Sequence, residues 1–137
     1  MIEIESRELA DIPVLHAYPV GQKDTPLPCA IFYHGFTSSS LVYSYFAVAL
    51  AQAGLRVIMP DAPDHGSRFS GDAARRLNQF WQILLQSMQE FTTLRAAIAE
   101  ENWLRDDRLA VGGASMGAMT ALGITARHPT VKCLSLI

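Results

Sequence analysis

Apolar and polar residues alternate through Ile2-Glu3-Ile4-Glu5-Ser6-Arg7-Glu8-Leu9, and strand character resumes from Ile12 to Tyr18 after the turn-like Ala10-Asp11. Period-two alternation predicts two antiparallel strands at a sheet edge, where Pro13 and Pro19 suit edge or strand-end positions because proline cannot donate to a ladder. Beyond Pro28 the pattern changes. Cys29 to Tyr33 is a continuous apolar run, as expected of a strand buried on both faces, and Leu55 to Met59, Arg108 to Val111 and Val131 to Ile137 read as further strands. Leu41 to Ala53 reads as a helix closed by Gly54 at its left-handed C-cap, and Ser115 to Arg127 as a helix of small residues. The strongest helical signal runs from Leu77 to Ile98, through Phe80, Trp81, Leu84, Leu85, Met88, Phe91 and Leu94 at three- and four-residue steps. Such a stripe is expected to pack into a core rather than to line a ligand box.

The order after residue 28 is βαβαβαβ, which calls for a parallel sheet with right-handed crossovers and helices on both faces. The predicted fold class is α/β, mostly parallel, in a single domain spanning residues 1–137 that is incomplete and cut short after about the sixth strand. Composition adds little to that picture: 50% hydrophobic and 18% charged residues are globular values without a sign of disorder. The net charge of −2 supplies no basic footprint for nucleic acid, and Arg68, Arg75 and Arg76 are expected to be solvated surface. Met1-Ile2-Glu3-Ile4-Glu5 lacks the features of a signal peptide and no apolar run is long enough to cross a bilayer, so a cytoplasmic protein without membrane contact is expected. Cys29 and Cys133 sit in apolar segments and are expected to be buried thiols without chemistry.

The candidate chemistry lies at Gly113-Ala114-Ser115-Met116-Gly117, between the strand Leu109-Ala110-Val111 and a helix. G-x-S-x-G in that context is a nucleophile elbow: a sharp turn exposes the serine, and only small residues fit two positions to either side. Gly112-Gly113-Ala114-Ser115-Met116-Gly117 matches neither dinucleotide nor P-loop spacing. Ser115 is therefore the candidate nucleophile. His34-Gly35-Phe36 follows an earlier strand, where a loop N–H can complete an oxyanion hole, so the expected donors are the backbone N–H groups of Phe36 and Met116, with His34 and Gly35 supporting the loop. Phe36 either walls an acyl pocket or covers the core. His34 is expected to bond locally rather than serve as base. His16, His65 and His128 are expected to be structural or exposed, with His128 directed away from Ser115, and Asp61 and Asp64 to form a turn with Pro63 and Gly66. No His, Cys, Asp or Glu spacing suggests a metal.

The H-G-F-T-S-S segment at 34 to 39, the Pro60-Asp61-Ala62-Pro63-Asp64-His65-Gly66 loop and the Gly113 to Gly117 elbow resemble the α/β-hydrolase superfamily over essentially the whole chain. That resemblance implies hydrolysis of short-chain carboxylic esters through an acyl-enzyme at Ser115, with no cofactor. It also implies a triad acid and histidine on loops after later strands, which this sequence does not reach, and Lys132 to Ile137 reads as an altered end. The chain alone is thus expected to be nearly inactive, with an open C-terminal strand edge prone to self-association. Two other readings stay open: a non-catalytic fragment that complements or binds a partner through that edge, and a nucleotide-binding domain. Thioesterase, lactonase or peptidase chemistry would use the same elbow.

Overall fold

In the computed structural model, the backbone is described over residues 1–137 and the side chains over all but residues 135 and 136. Eight-residue β1 (Ile2–Leu9) and β2 (Ile12–Pro19) pair antiparallel along their full length. Ala10 and Asp11 both take positive φ (48° and 66°), the two-residue hairpin geometry that matches strand twist. Five further elements build the sheet and its first cover: β3 (Leu27–Tyr33), α1 (Ser44–Gln52), β4 (Arg56–Pro60), α2 (Ala73–Leu77) and α3 (Phe80–Glu100). β5 (Leu104–Gly113), α4 (Met116–Arg127) and β6 (Lys132–Leu136) complete the described chain. The sheet order is β1-β2-β4-β3-β5-β6, with β2–β4 antiparallel and β4-β3-β5-β6 parallel. This is the α/β architecture that the element order predicts, with helices on both faces.

Strand alternation assigns the two faces. Ile31, Tyr33, Ile58 and Val111 pack with Phe91, Leu94 and Ile98 of α3 and Ala121 and Ile124 of α4. Their neighbours Phe32, Val57 and Met59 turn to Ala47 and Ala51 of α1. A one-residue register slip would exchange these sets, so two unlike helical layers fix the register.

The β1–β2 hairpin lies at the sheet edge as expected, with β1 outermost and β2 paired to β4 from Val14 onward. Pro13 is tolerated because that pairing starts one residue later, and its carbonyl accepts the Asp61 N–H at 3.0 Å. Several other expectations need correction. The long helical stripe splits. α2 ends at Leu77 with Asn78 as C-cap, and Leu77, Trp81 and Leu85 form an i, i+4 row that faces outward, Trp81 being 66% exposed. The buried row of α3 is Ile83, Leu84, Ser87, Phe91, Leu94 and Ile98. Residues 41–43 form turns before α1 rather than its first turn, with Tyr43 N–H bonded to Ser40 O. β5 starts at Leu104, four residues before the predicted strand. Asp106 and Asp107 lie at φ 54° in its polar first half, where the β3 pairing shifts register, so the strand carries no apolar signature there. Cys29 is buried as expected, but Cys133 is exposed.

Candidate active site

Ser115 stands between β5 and α4 at φ 55°, ψ −115°, outside every region a serine ordinarily occupies, and it is exposed. The surroundings enforce this geometry. A Cβ on Gly117 would enter the Tyr33 and His34 carbonyls, and one on Gly113 would enter the Gly117 backbone. Strand, elbow and helix therefore approach at backbone contact, and two glycines are the only residues that permit it. The local fold thus lifts Ser115 to the start of a 12-residue helix, where the dipole and unpaired N–H groups favour negative charge.

The loop after β3 lies against the elbow. A Cβ on Gly35 would stand 3.6 Å from Ser115 Cβ and 3.2 Å from the Tyr43 hydroxyl, so the loop passes the serine at van der Waals contact. The Gly35 carbonyl accepts the Ser38 N–H at 3.2 Å and lies 2.8 Å from His34 Nδ1. In a trans peptide the following N–H points the opposite way, which frees the Phe36 N–H from the loop interior. Among the described residues, neither the Phe36 N–H nor the Met116 N–H has a hydrogen-bond partner. The Phe36 ring is half-buried, with its centroid 5.0 Å from that of Phe80, edge-on, and 5.5 Å from that of His65. It packs beside the cluster of Ala62, Ile83, Leu84 and Met116.

Two histidines join this loop to the one after β4. His34 Nε2 accepts the Ala62 N–H at 3.0 Å, so its proton sits on Nδ1 and is donated to Gly35 O. His65 Nε2 accepts the Thr37 N–H at 2.8 Å, so its Nδ1–H is donated to Pro63 O at 2.9 Å. Both rings are buried, 5.2 Å apart, and burial holds both below the ordinary histidine range. With every ring nitrogen used, neither is free to take a proton from Ser115. His34 makes one local bond, to Gly35 O, and one across to the next loop, from Ala62 N–H.

Asp61 does more than form a turn. Its carboxylate accepts the Ser40 N–H at 3.0 Å and both the N–H and hydroxyl of Ser67, at 3.2 and 2.9 Å. Burial raises its pKa, but these donors together outweigh it and hold the carboxyl below its usual range. Gly66 completes the knot, since a Cβ there would enter the Asp61 carboxylate. Arg68, expected at the solvated surface, instead forms a bidentate pair with Glu90 of α3 at 2.8 and 2.9 Å and donates to Asp61 O. Asp64 caps the Ser70 N–H. His128 C-caps α4 against Phe91, at the far end of the helix from Ser115. Sequence reading missed the cross-loop bonds of His65 and Asp61 because both join residues more than 20 positions apart; the Gly66-Ser67 pair after Asp61 was the one local hint. Among the described residues, no group of three or more His, Cys, Asp or Glu could hold a metal, and no helix is long and apolar enough to cross a membrane.

The chain and its fold have known counterparts. The chain is 98% identical to Esterase YjfP of Escherichia coli (strain K12) over 133 residues, which is 97% of this chain and 53% of that protein. A cold-adapted esterase from an Arctic intertidal metagenomic library matches in structure with a TM-score of 0.72 at 23% identity, over 98% of this chain and 59% of that one. The dienelactone hydrolase of Anabaena variabilis ATCC 29413 matches with a TM-score of 0.69 at 20% identity, over 99% and 61%. At such identities these structures show the shared fold, the α/β-hydrolase fold. The chain spans about half the length of the curated relatives it matches. Residues 25–137 match the family described as serine aminopeptidase, S33, and the chain belongs to that family.

Proposed function

We propose that this chain carries the nucleophile and oxyanion hole of a serine carboxylesterase, in which Ser115 attacks a short-chain ester carbonyl to form an acyl-enzyme. The observation that carries the reading is the conformation of Ser115: exposed, at φ 55°, on a turn that two glycines make possible. The unpartnered N–H groups of Phe36 and Met116 support the oxyanion assignment, each donor being worth about two to three orders of magnitude in rate. The ester as substrate, over an amide, thioester or lactone, is supported by the likeness to the Escherichia coli esterase. The base and acid that activate Ser115 lie on sequence outside this chain, because His34 and His65 are committed to backbone groups and His16 and His128 stand elsewhere. The isolated chain is therefore nearly inactive, and a cytoplasmic location and a small-molecule ester partner complete the reading. β6 pairs only with β5 in the described chain, so its outer edge also supports self-association or the docking of a complementing segment.

A fluorophosphonate probe tests the nucleophile directly. In this chain completed with the C-terminal portion of the Escherichia coli relative, the adduct is expected on Ser115 by peptide mass mapping, with little labelling of the 137-residue chain alone. An adduct on another serine would overturn the assignment.

A further inference from the structure

His65 has a place in the fold that the nucleophile reading leaves unused. It belongs to the loop after β4, yet its buried ring meets both sides of the residue proposed as oxyanion donor: it packs 5.5 Å from the Phe36 ring and accepts the N–H of Thr37, the next residue, at 2.8 Å. Thr37 is held at φ 66°, a left-handed conformation that is unfavourable for a β-branched side chain. Without a fixed acceptor for its N–H, that residue would relax toward an extended conformation and carry the preceding peptide with it. His34 makes the reverse connection, reaching from the Thr37 loop to Ala62 in the His65 loop and fixing the Gly35 carbonyl. Each loop thus grips a backbone N–H of the other through a neutral imidazole. Since planar trans peptides couple the Gly35 carbonyl to the Phe36 N–H, the two grips define where that N–H points.

We propose that His65 is a positioning residue of the oxyanion hole, acting through Thr37, and that it forms with His34 a reciprocal clamp that aims the Phe36 N–H at the carbonyl oxygen of the substrate. The clamp needs both imidazoles uncharged, because a protonated Nε2 cannot accept. Around it stand Asp61 and Asp64, which favour protonation of His65, and Arg76, which opposes it. This inference rests on the Ser115 reading above.

The test uses the chain completed with the C-terminal portion of its Escherichia coli relative. His65→Phe keeps an aromatic ring against Phe36 but removes both nitrogens; His65→Gln returns an acceptor near the Nε2 position. H65F is expected to lower kcat about 10- to 100-fold with KM within about threefold, as a misplaced but present donor should. H65Q should regain most of that loss, and Thr37 amide exchange should speed up in H65F and slow again in H65Q. In the unsubstituted enzyme, nitrogen-15 shifts should show His65 protonated at Nδ1 and bare at Nε2, a readout that holds even if H65F does not fold. The opposite tautomer, or an H65F variant with undiminished kcat per folded molecule, would overturn the proposal. Loss of activity in Ser115→Ala but not in H65F overturns this inference alone, whereas equal turnover by Ser115→Ala overturns both.

Discussion

The carboxyl end of the sheet and its β1–β2 side both bury histidine, but they are held together by different physics. Around Ser115 the fit is backbone against backbone: Gly113 and Gly117 leave no volume to spare, and His34 and His65 bond mainly to main-chain groups that never change charge. On the β1–β2 side, His16 sits in a network of ionisable side chains. Its Nε2 accepts from buried Arg56 at 2.8 Å, its Nδ1–H is donated to Glu5 at 2.7 Å, and its ring stacks 4.2 Å from that of Trp103. The Arg56 and Arg7 guanidinium carbons lie 4.8 and 4.9 Å from the same indole. The first region should reject added volume and hold its geometry while its two imidazoles stay neutral, as burial favours; the second should lose stability as acid charges His16. A reacting group is better placed in the first kind of surroundings, where burial keeps both supporting imidazoles neutral and their partners are backbone groups.

The largest break is expected from Gly117→Ala. Its methyl group would meet the Tyr33 and His34 carbonyls, at the end of a central strand and the first residue beyond it, and the backbone there cannot step aside, so a loss of about 3 kcal/mol or more is expected in urea unfolding. Acid should break the other region. Burial, reinforced by Arg56 and only partly offset by Glu5, pushes His16 down to about 4 from 6.5. Above pH 6.5 the ring is neutral folded or unfolded, and it contributes no pH dependence. Between about 6.5 and 4 the unfolded chain takes the proton and the folded one does not, so stability falls as pH falls, by on the order of 3 kcal/mol. His16→Gln should flatten that part of the stability curve. The smallest effect belongs to neither region: Trp81→Ala, an exposed ring edge-on to Phe80, should cost only about 0.5–1 kcal/mol.

How much of this was legible in the sequence follows from range. The β1–β2 hairpin, the apolar runs of β3 and β4 and the elbow each carry their signal within a few residues, and each lies where the pattern places it. The start of β5 was hidden because Arg105, Asp106, Asp107 and Arg108 present no apolar face where the ladder shifts register. Trp81 and Leu85 lie on the same periodic stripe as Phe91, and periodicity alone cannot say how wide an arc the core covers. At the proposed site, the turn at Ser115 and its approach to Gly35 were legible from a motif and its neighbour. The bonds of His65 to Thr37 and of Asp61 to Ser40 were not, because they depend on two loops meeting above the sheet.

The central claim is that Ser115 is a nucleophile whose activating partners lie outside these 137 residues. Hydrolysis of a short p-nitrophenyl ester, measured for this chain, for the chain completed with the C-terminal portion of its Escherichia coli relative, and for Ser115→Ala in both, tests it most directly. The account predicts turnover in the completed protein that falls by about four orders of magnitude or more in Ser115→Ala, and no difference between the two forms of the chain alone. Turnover by the chain alone that vanishes with Ser115 would contradict it, and would place a base among residues the structure commits to other bonds.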